Sequence, residues 1–434
     1  MRTSPAESLT GPTWEDTGSG RSSPGRAETV SASSGPTDRS GLSEACSKVV
    51  IQAGKLDGHG SSVRSTTPLT KIIMLADVLV IAVALIGLLV FPSVLTPPGA
   101  PRQEVTASGP SPASSPSPSP TPDLPSAELP PPVTASAEFA RQVKANEAGV
   151  VPILMYHRII RKRLASIDRT PAQMRRELER LARDGYVPVT AREFATGRMD
   201  IPAGKHPVVL TFDDGHPSHF ALEADGTPVK DSAVGIIYQV AMKYPGFRPV
   251  ATFWVNQHPF GLREEKDQER AVRWLVSRGF EVANHTWGHP HLPRLPKKKI
   301  AEQLARVEWL LKRLGAPPSE TLALPFGAMP RKRSTVQTGK WRGVSYDFKG
   351  VFLAGAEPSL SPFVKGYDWR AIQRIQSNGR KGECRKWCSD YWLGWLDKHP
   401  DRRYTADGDP DRISIPNRLR DSIRADQRKK INTY

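Results

Sequence analysis

Hydrophobic and polar positions follow three different regimes along the chain. From residue 150 onward, short apolar runs alternate with amphipathic stretches. "VPILMYH", "PVVLTFD", "PVATFWV", "FEVAN" and "TLALPF" read as buried strands. "TPAQMRRELERLARDG" reads as a helix. Thr170 is its N-cap, Pro171 occupies its first turn, and Gln173 completes a capping box. Met174, Leu178 and Leu181 form its apolar stripe, and Gly185 ends it. A second helix is predicted from about Lys297 to Leu314, with Ile300, Leu304, Val307, Leu311 and Leu314 on its buried face. These stripes are core. Strands alternating with helices predict a parallel sheet closed or covered by helices. Such a sheet leaves the carboxyl ends of its strands free to carry a site.

The preceding 149 residues have no such period. Residues 1–70 are rich in Ser, Gly, Pro and Thr with few aromatics, the composition of a disordered tail. Residues 72–95, "IIMLADVLVIAVALIGLLVFPSVL", are long enough to cross a bilayer, with Asp77 as their one charge near an end. A cleaved signal peptide is the rival reading. About 70 residues precede the segment and no small-x-small site follows, which favours an uncleaved anchor spanning residues 71–95. Lys55, Arg64 and Lys71 precede it, and only Arg102 follows before Arg141. This bias predicts the N-terminus in the cytoplasm and the C-terminal domain outside the membrane. Residues 96–149, with "PSPASSPSPSPTPDLPSAELPPP", read as a semi-rigid linker and residues 150–434 as one domain.

Charge sharpens this division. The formal net charge is +17, yet residues 1–149 carry 11 Lys and Arg against 13 Asp and Glu. The positive excess therefore sits on residues 150–434, where it favours an anionic cell-wall or membrane surface. Charge alone also admits nucleic acid, which nothing else in the chain supports. Three cysteines exclude a disulfide framework. Cys384 and Cys388 could pair in an exported domain or remain core thiols. The oligomeric state has no signature in the chain.

Two motifs carry chemistry. "LTFDDG", residues 210–215, ends a core strand with Asp213 and Asp214 side by side. Turn chemistry explains an Asp-Asp-Gly by itself, although two buried like charges repel. About 70 residues later a second strand ends in "HTWGHPHL", where His285 and His289 are four apart. On one helical turn that spacing projects both imidazoles to one side. Two histidines and one carboxylate form a catalytic metal set with a position left open. One aspartate can then ligate while its neighbour remains a base.

"TFDDG", "ATFWV" and "HTWGH" in this order resemble the polysaccharide deacetylases with a NodB-homology domain, carbohydrate esterase family 4. "VPILMYHRI" looks like the opening of the branch acting on poly-N-acetylglucosamine. The resemblance spans residues 150 to about 378. It implies a distorted parallel (β/α) barrel. It also implies a hydrolase that removes N-acetyl groups from an amino-sugar polymer with one divalent metal, usually zinc. Asp213 would be the general base, Asp214, His285 and His289 the ligands, and His157 the general acid. Tyr156, Pro325 and Phe326 would meet substrate, the Phe326 N–H facing the oxyanion. Two departures stand out. Ala323 in "ALPFG" replaces the arginine that pairs with the base in the family, and the late Leu-x-His motif has no counterpart beyond the loop-like His399. These departures admit a non-catalytic glycan-binding protein, and the fold's use by some members on small amides admits a metal-dependent amidase for a smaller substrate.

Overall fold

The structure, a computed structural model, describes residues 124–126, 131, 133–380 and 386–434. The expected tail, membrane segment and most of the linker lie outside these residues. No helix among the described residues is long and apolar enough to cross a membrane.

Eight parallel strands build the central sheet. They are β1 (Ile153–Tyr156), β2 (Tyr186–Val189), β3 (His206–Phe212), β4 (Thr252–Val255), β5 (Glu281–Asn284), β6 (Thr321–Ala323), β9 (Gly350–Phe352) and β10 (Ile375–Gln376). Their order is β10-β1-β3-β4-β5-β6-β9, with β2 beside the first half of β3 and β1 beside its second half. A parallel bridge between Phe352 and Ile372 joins the β9 edge to the segment entering β10. The sheet thereby curls into the expected distorted barrel. Two short strands, β7 (Thr338–Trp341) and β8 (Val344–Asp347), form an antiparallel hairpin outside it.

The period of two along each strand sorts the core. Ile153, Val209, Trp254, Ala283, Ala323 and Phe352 meet in one cluster drawn from six strands. Their neighbours Leu154, Leu210, Phe253 and Val282 point the other way, under the helices. Those helices include α2 (Pro171–Arg183), α4 (Ala233–Lys243) and α5 (Glu265–Ser277). The capping box of α2 forms as predicted, with Thr170 and Gln173 each accepting from the other's backbone N–H. The predicted second helix is α6 (Lys297–Arg313). Short helix α3 (Ala191–Thr196) and the later α7 (Ser389–Lys398) complete the helical layer.

The linker boundary moves. Residues 133–149, expected to extend the stalk, belong to the folded body. There α1 (Ala137–Gln142) buries Ala140, and Ala135 and Ala145 are buried beside it. Glu147 is buried too. It accepts from the Tyr404 hydroxyl and the Ser414 N–H, so the C-terminal segment supplies its partners. Composition could not show this, because these contacts span more than 250 residues.

Candidate active site

The strand ends bring the two motifs together as expected. Asp213 and Asp214 follow β3, and His285 follows β5, two strands away. Asp214 Oδ1 lies 3.5 Å from His285 Nε2 and 3.4 Å from His289 Nε2. Ligands about 2.0–2.1 Å from a tetrahedral centre stand roughly 3.4 Å apart, so these separations fit one small divalent ion. His285 Nδ1 lies 2.9 Å from the Ala323 carbonyl and donates to it, which leaves Nε2 free to ligate. Asp214, His285 and His289 form the one such cluster among the described residues. His291 stands apart from it and is exposed.

The route to this geometry differs from the predicted one. The His285–His289 segment is a loop, not a helical turn. Thr286 and His289 take left-handed backbone conformations, with φ of 67° and 50°. Asn256 holds the loop by donating to the His285 and Thr286 carbonyls. Asp214 is also left-handed, at φ 75°. That turn points consecutive carboxylates in different directions: Asp213 into the protein and Asp214 toward the histidines.

Asp213 faces a partner that sequence reasoning missed. Arg374, at the entry to β10, donates to Asp213 Oδ1 at 2.6 Å and Oδ2 at 2.8 Å. The guanidinium also bonds the Leu353 carbonyl and Thr211 Oγ1 and lies over the Trp254 ring. Arg374 is wholly buried. A bidentate pair of this kind is strong and directional. Burial pushes the Asp213 carboxyl up, but Arg374, His285 and His157 outweigh it and hold it down at about 2. Arg374 thus supplies the positive partner absent at Ala323, whose side chain is buried among apolar neighbours. One arginine in "AIQRIQ" among 61 basic residues offers no local signal.

His157 follows β1, and its Nε2 lies 4.0 Å from Asp213 Oδ2. Burial lowers its pKa, partly offset by Asp213 and Asp214. Behind it, His219 Nε2 donates to the His157 carbonyl at 2.7 Å. Phe326 is 59% exposed, and its ring meets His289 at 4.6 Å between centroids. Pro325 is buried beneath it. Tyr156 corrects the expectation of substrate contact. It is fully buried, stacks on Phe212, and donates its hydroxyl to Glu177. Its position on β1 turns its ring away from the mouth. His399 bonds the Trp395 carbonyl at the far end of α7 and is not part of the site.

Fold and site define a class: a parallel β/α barrel with a two-histidine, one-carboxylate cluster and a second, arginine-held carboxylate at its strand ends. Residues 200–340 match the family described as Polysaccharide deacetylase. The chain is similar to a Peptidoglycan-N-acetylglucosamine deacetylase of Bacillus cereus, 26% identical over 159 residues. That match covers 34% of this chain and 50% of the relative, so the chain spans half the length of the curated relative. Among solved structures, BC0361, a polysaccharide deacetylase from Bacillus cereus, has a TM-score of 0.38 at 20% identity. It covers 52% of this chain and 64% of its own. IcaB from Ammonifex degensii has a TM-score of 0.37 at 19% identity, covering 53% and 92%. His157 and Arg374 both lie outside the matched residues.

Proposed function

We propose that the protein is a metal-dependent hydrolase that removes N-acetyl groups from an amino-sugar polymer. The proposal places it on the outer side of a bacterial cell membrane, held by residues 71–95. The convergence of Asp214, His285 and His289 beside an ionised, arginine-held Asp213 carries this reading. A divalent ion on those three residues, zinc by the chemistry of a two-histidine, one-carboxylate donor set, would polarise the acetamide carbonyl and acidify a water.

The remaining work falls to the chain itself. Asp213 accepts the proton of the attacking water. Arg374 keeps that carboxylate ionised and fixes its orientation. The Phe326 N–H is free of its own turn, whose backbone bonds run from Gly327 to Leu324 and from Ala328 to Pro325. It is the donor available to the developing oxyanion. His157, whose Nε2 lies 4.0 Å from Asp213 Oδ2, takes over the water's proton and delivers it to the departing nitrogen. Acetate and a free amino sugar result. The non-catalytic glycan-binding alternative rests on the missing motif arginine and the missing late Leu-x-His motif, and Arg374 answers the first of these. The basic surface and the proline-rich linker suit a polymer at an anionic wall better than a small diffusing amide.

Acetate release from peptidoglycan, chitin oligomers and poly-N-acetylglucosamine tests the activity. Release from one of them is expected, and it should vanish on chelation. Silence on all three would return the protein to the glycan-binding reading. Bound metal should be about one divalent ion per chain, lost in His285→Ala with His289→Ala. Protease added to intact cells should reach residues 133–434 and spare the first 70.

A further inference from the structure

Helix α7 carries two kinds of face. Ser389, Leu393 and Leu396 are buried against the body. Trp387, Tyr391, Trp392 and Trp395 are only partly buried. Three of them meet at one end of the helix. Tyr391 and Trp392 pack edge to face at 5.3 Å, and Trp387 lies 6.5 Å from each. Trp395 extends the cluster, meeting Trp392 edge to face at 5.6 Å and stacking on His399 at 4.2 Å.

That end of α7 is at the mouth of the barrel. The indole N–H of Trp392 donates to the Ala356 carbonyl at 2.7 Å. Ala356 is three residues beyond Leu353, whose carbonyl receives Arg374, the partner of Asp213. Three residues span at most about 10 Å when extended. A second connection runs beneath. Buried Glu177 accepts from Tyr156, the residue before His157, and from Ser377 and Ser389, the first residue of α7. Cys388, the N-cap of α7, is disulfide-bonded, while Cys384 falls outside the described residues. The other end of α7 leads to Arg402, whose carbonyl meets the Val150 N–H below β1. The helix therefore descends from the mouth, with Trp387, Tyr391 and Trp392 at the top.

We propose that Trp387, Tyr391 and Trp392 form a subsite for sugar units two or more positions away from the one being deacetylated. This rests on the polymer reading above. A partly exposed triad of fused aromatic contacts offers flat apolar faces that complement the C–H faces of pyranose rings. The same faces attract the ammonium groups that each turnover leaves on the polymer. Helical side chains lean toward the N-terminus, so Trp392 reaches back to Ala356 at the rim. Arg180 and Arg380 bracket Asp390 on the helix flank, so the aromatic faces are bordered by already paired charges. Continuity with the catalytic rim distinguishes this patch from a lipid-facing one.

The test uses the full chain in detergent and N-acetylglucosamine oligomers from dimer to hexamer. Binding is followed by calorimetry in an Asp213→Asn background, and deacetylation in the otherwise native chain. Hexamer affinity should exceed dimer affinity. Trp387→Ala with Tyr391→Ala should reduce hexamer affinity and kcat/KM by about tenfold while leaving the dimer unchanged. Trp392→Phe keeps a ring but loses the bond to Ala356 and should show a smaller loss. Trp395→Ala, which removes a ring packed on Trp392, should show a smaller loss than the double variant. Equal losses on dimer and hexamer would indicate a structural role and overturn the subsite. So would unchanged hexamer affinity accompanied by weaker binding to anionic lipid vesicles, which would make the patch a membrane face. If native protein binds hexamer through these residues yet releases no acetate, the subsite stands and the hydrolase reading fails.

Discussion

The two ends of the barrel solve the same backbone problem differently. At the helix-to-strand end, the chain reverses through glycines such as Gly185 before β2 and Gly315 before β6, at φ 79° and 80°. A Cβ on Gly315 would come 2.7 Å from the Arg273 guanidinium carbon. At the strand-to-loop end Gly215, Gly261 and Gly327 are left-handed as well, but so are five residues with side chains: Asp214, Phe260, Thr286, His289 and Phe326. Each such residue costs on the order of 1–2 kcal/mol where glycine costs little. Three of the five belong to the candidate site. Where a turn only reverses the chain, glycine suffices. Where it must also aim a carboxylate, an imidazole or a ring, the side chain is retained and the strain accepted. The tripeptide Pro-Phe-Gly makes the point within one end. Phe260 and Phe326 share φ 58°, but Phe260 is buried and Phe326 is open beside His289.

The largest expected effect separates the adjacent aspartates. Asp213→Asn should retain metal and lose about 10²–10⁴-fold in turnover. Asp214→Asn should lose metal affinity, and added zinc should partly restore its activity. Zinc rescue of Asp213→Asn alone would exchange their roles. Next comes the buried pair. Arg374→Met should destabilise the fold by about 3–5 kcal/mol, since it strands a buried carboxylate. Adding Asp213→Asn should recover part of that loss in a urea titration. If the double variant is no more stable than Arg374→Met, the two are not coupled.

Acid compares the two ends directly. His206 bonds the Tyr404 carbonyl at the base of β3, and His219 bonds the His157 carbonyl at its top. Burial lowers each imidazole to about 4. Between the ordinary value near 6.5 and about 4, the unfolded chain binds protons that the folded chain refuses. Stability is therefore full above pH 6.5 and falls as pH drops toward 4, by about 3 kcal/mol for each histidine. His206→Gln should remove about half of that slope in urea midpoints measured across the window. An unchanged slope would assign the acid sensitivity elsewhere. The smallest effect concerns the turns. Gly315→Ala should cost about 1–2 kcal/mol, whereas Phe326→Gly should cost no stability and raise KM. Equal destabilisation by both would erase the contrast between the ends.

Much of the barrel was legible because its signals are local. The alternation in "PVVLTF", the Thr170–Gln173 capping box and the stripe of α6 are written within a few residues. So were the ligand candidates, since "DDG" and "HTWGH" place their chemistry in short motifs. Other features had no local trace. Arg374 meets Asp213 across 161 residues, and the Glu177 hub gathers Tyr156, Ser377 and Ser389 from three segments. The spacing of His285 and His289 was legible, but the loop that makes it work was not, because left-handed Thr286 is imposed by contacts such as Asn256. By itself the sequence determined five of the eight sheet strands, the ends of those that carry the site, and which residues carry ligand chemistry. Short-range sterics and hydrophobic period act between neighbours in the chain. The tertiary structure alone decided that Ala323 needs no arginine, that Tyr156 turns inward and that residues 133–149 fold. Those outcomes depend on burial and ion pairing between segments that meet only once the barrel has closed.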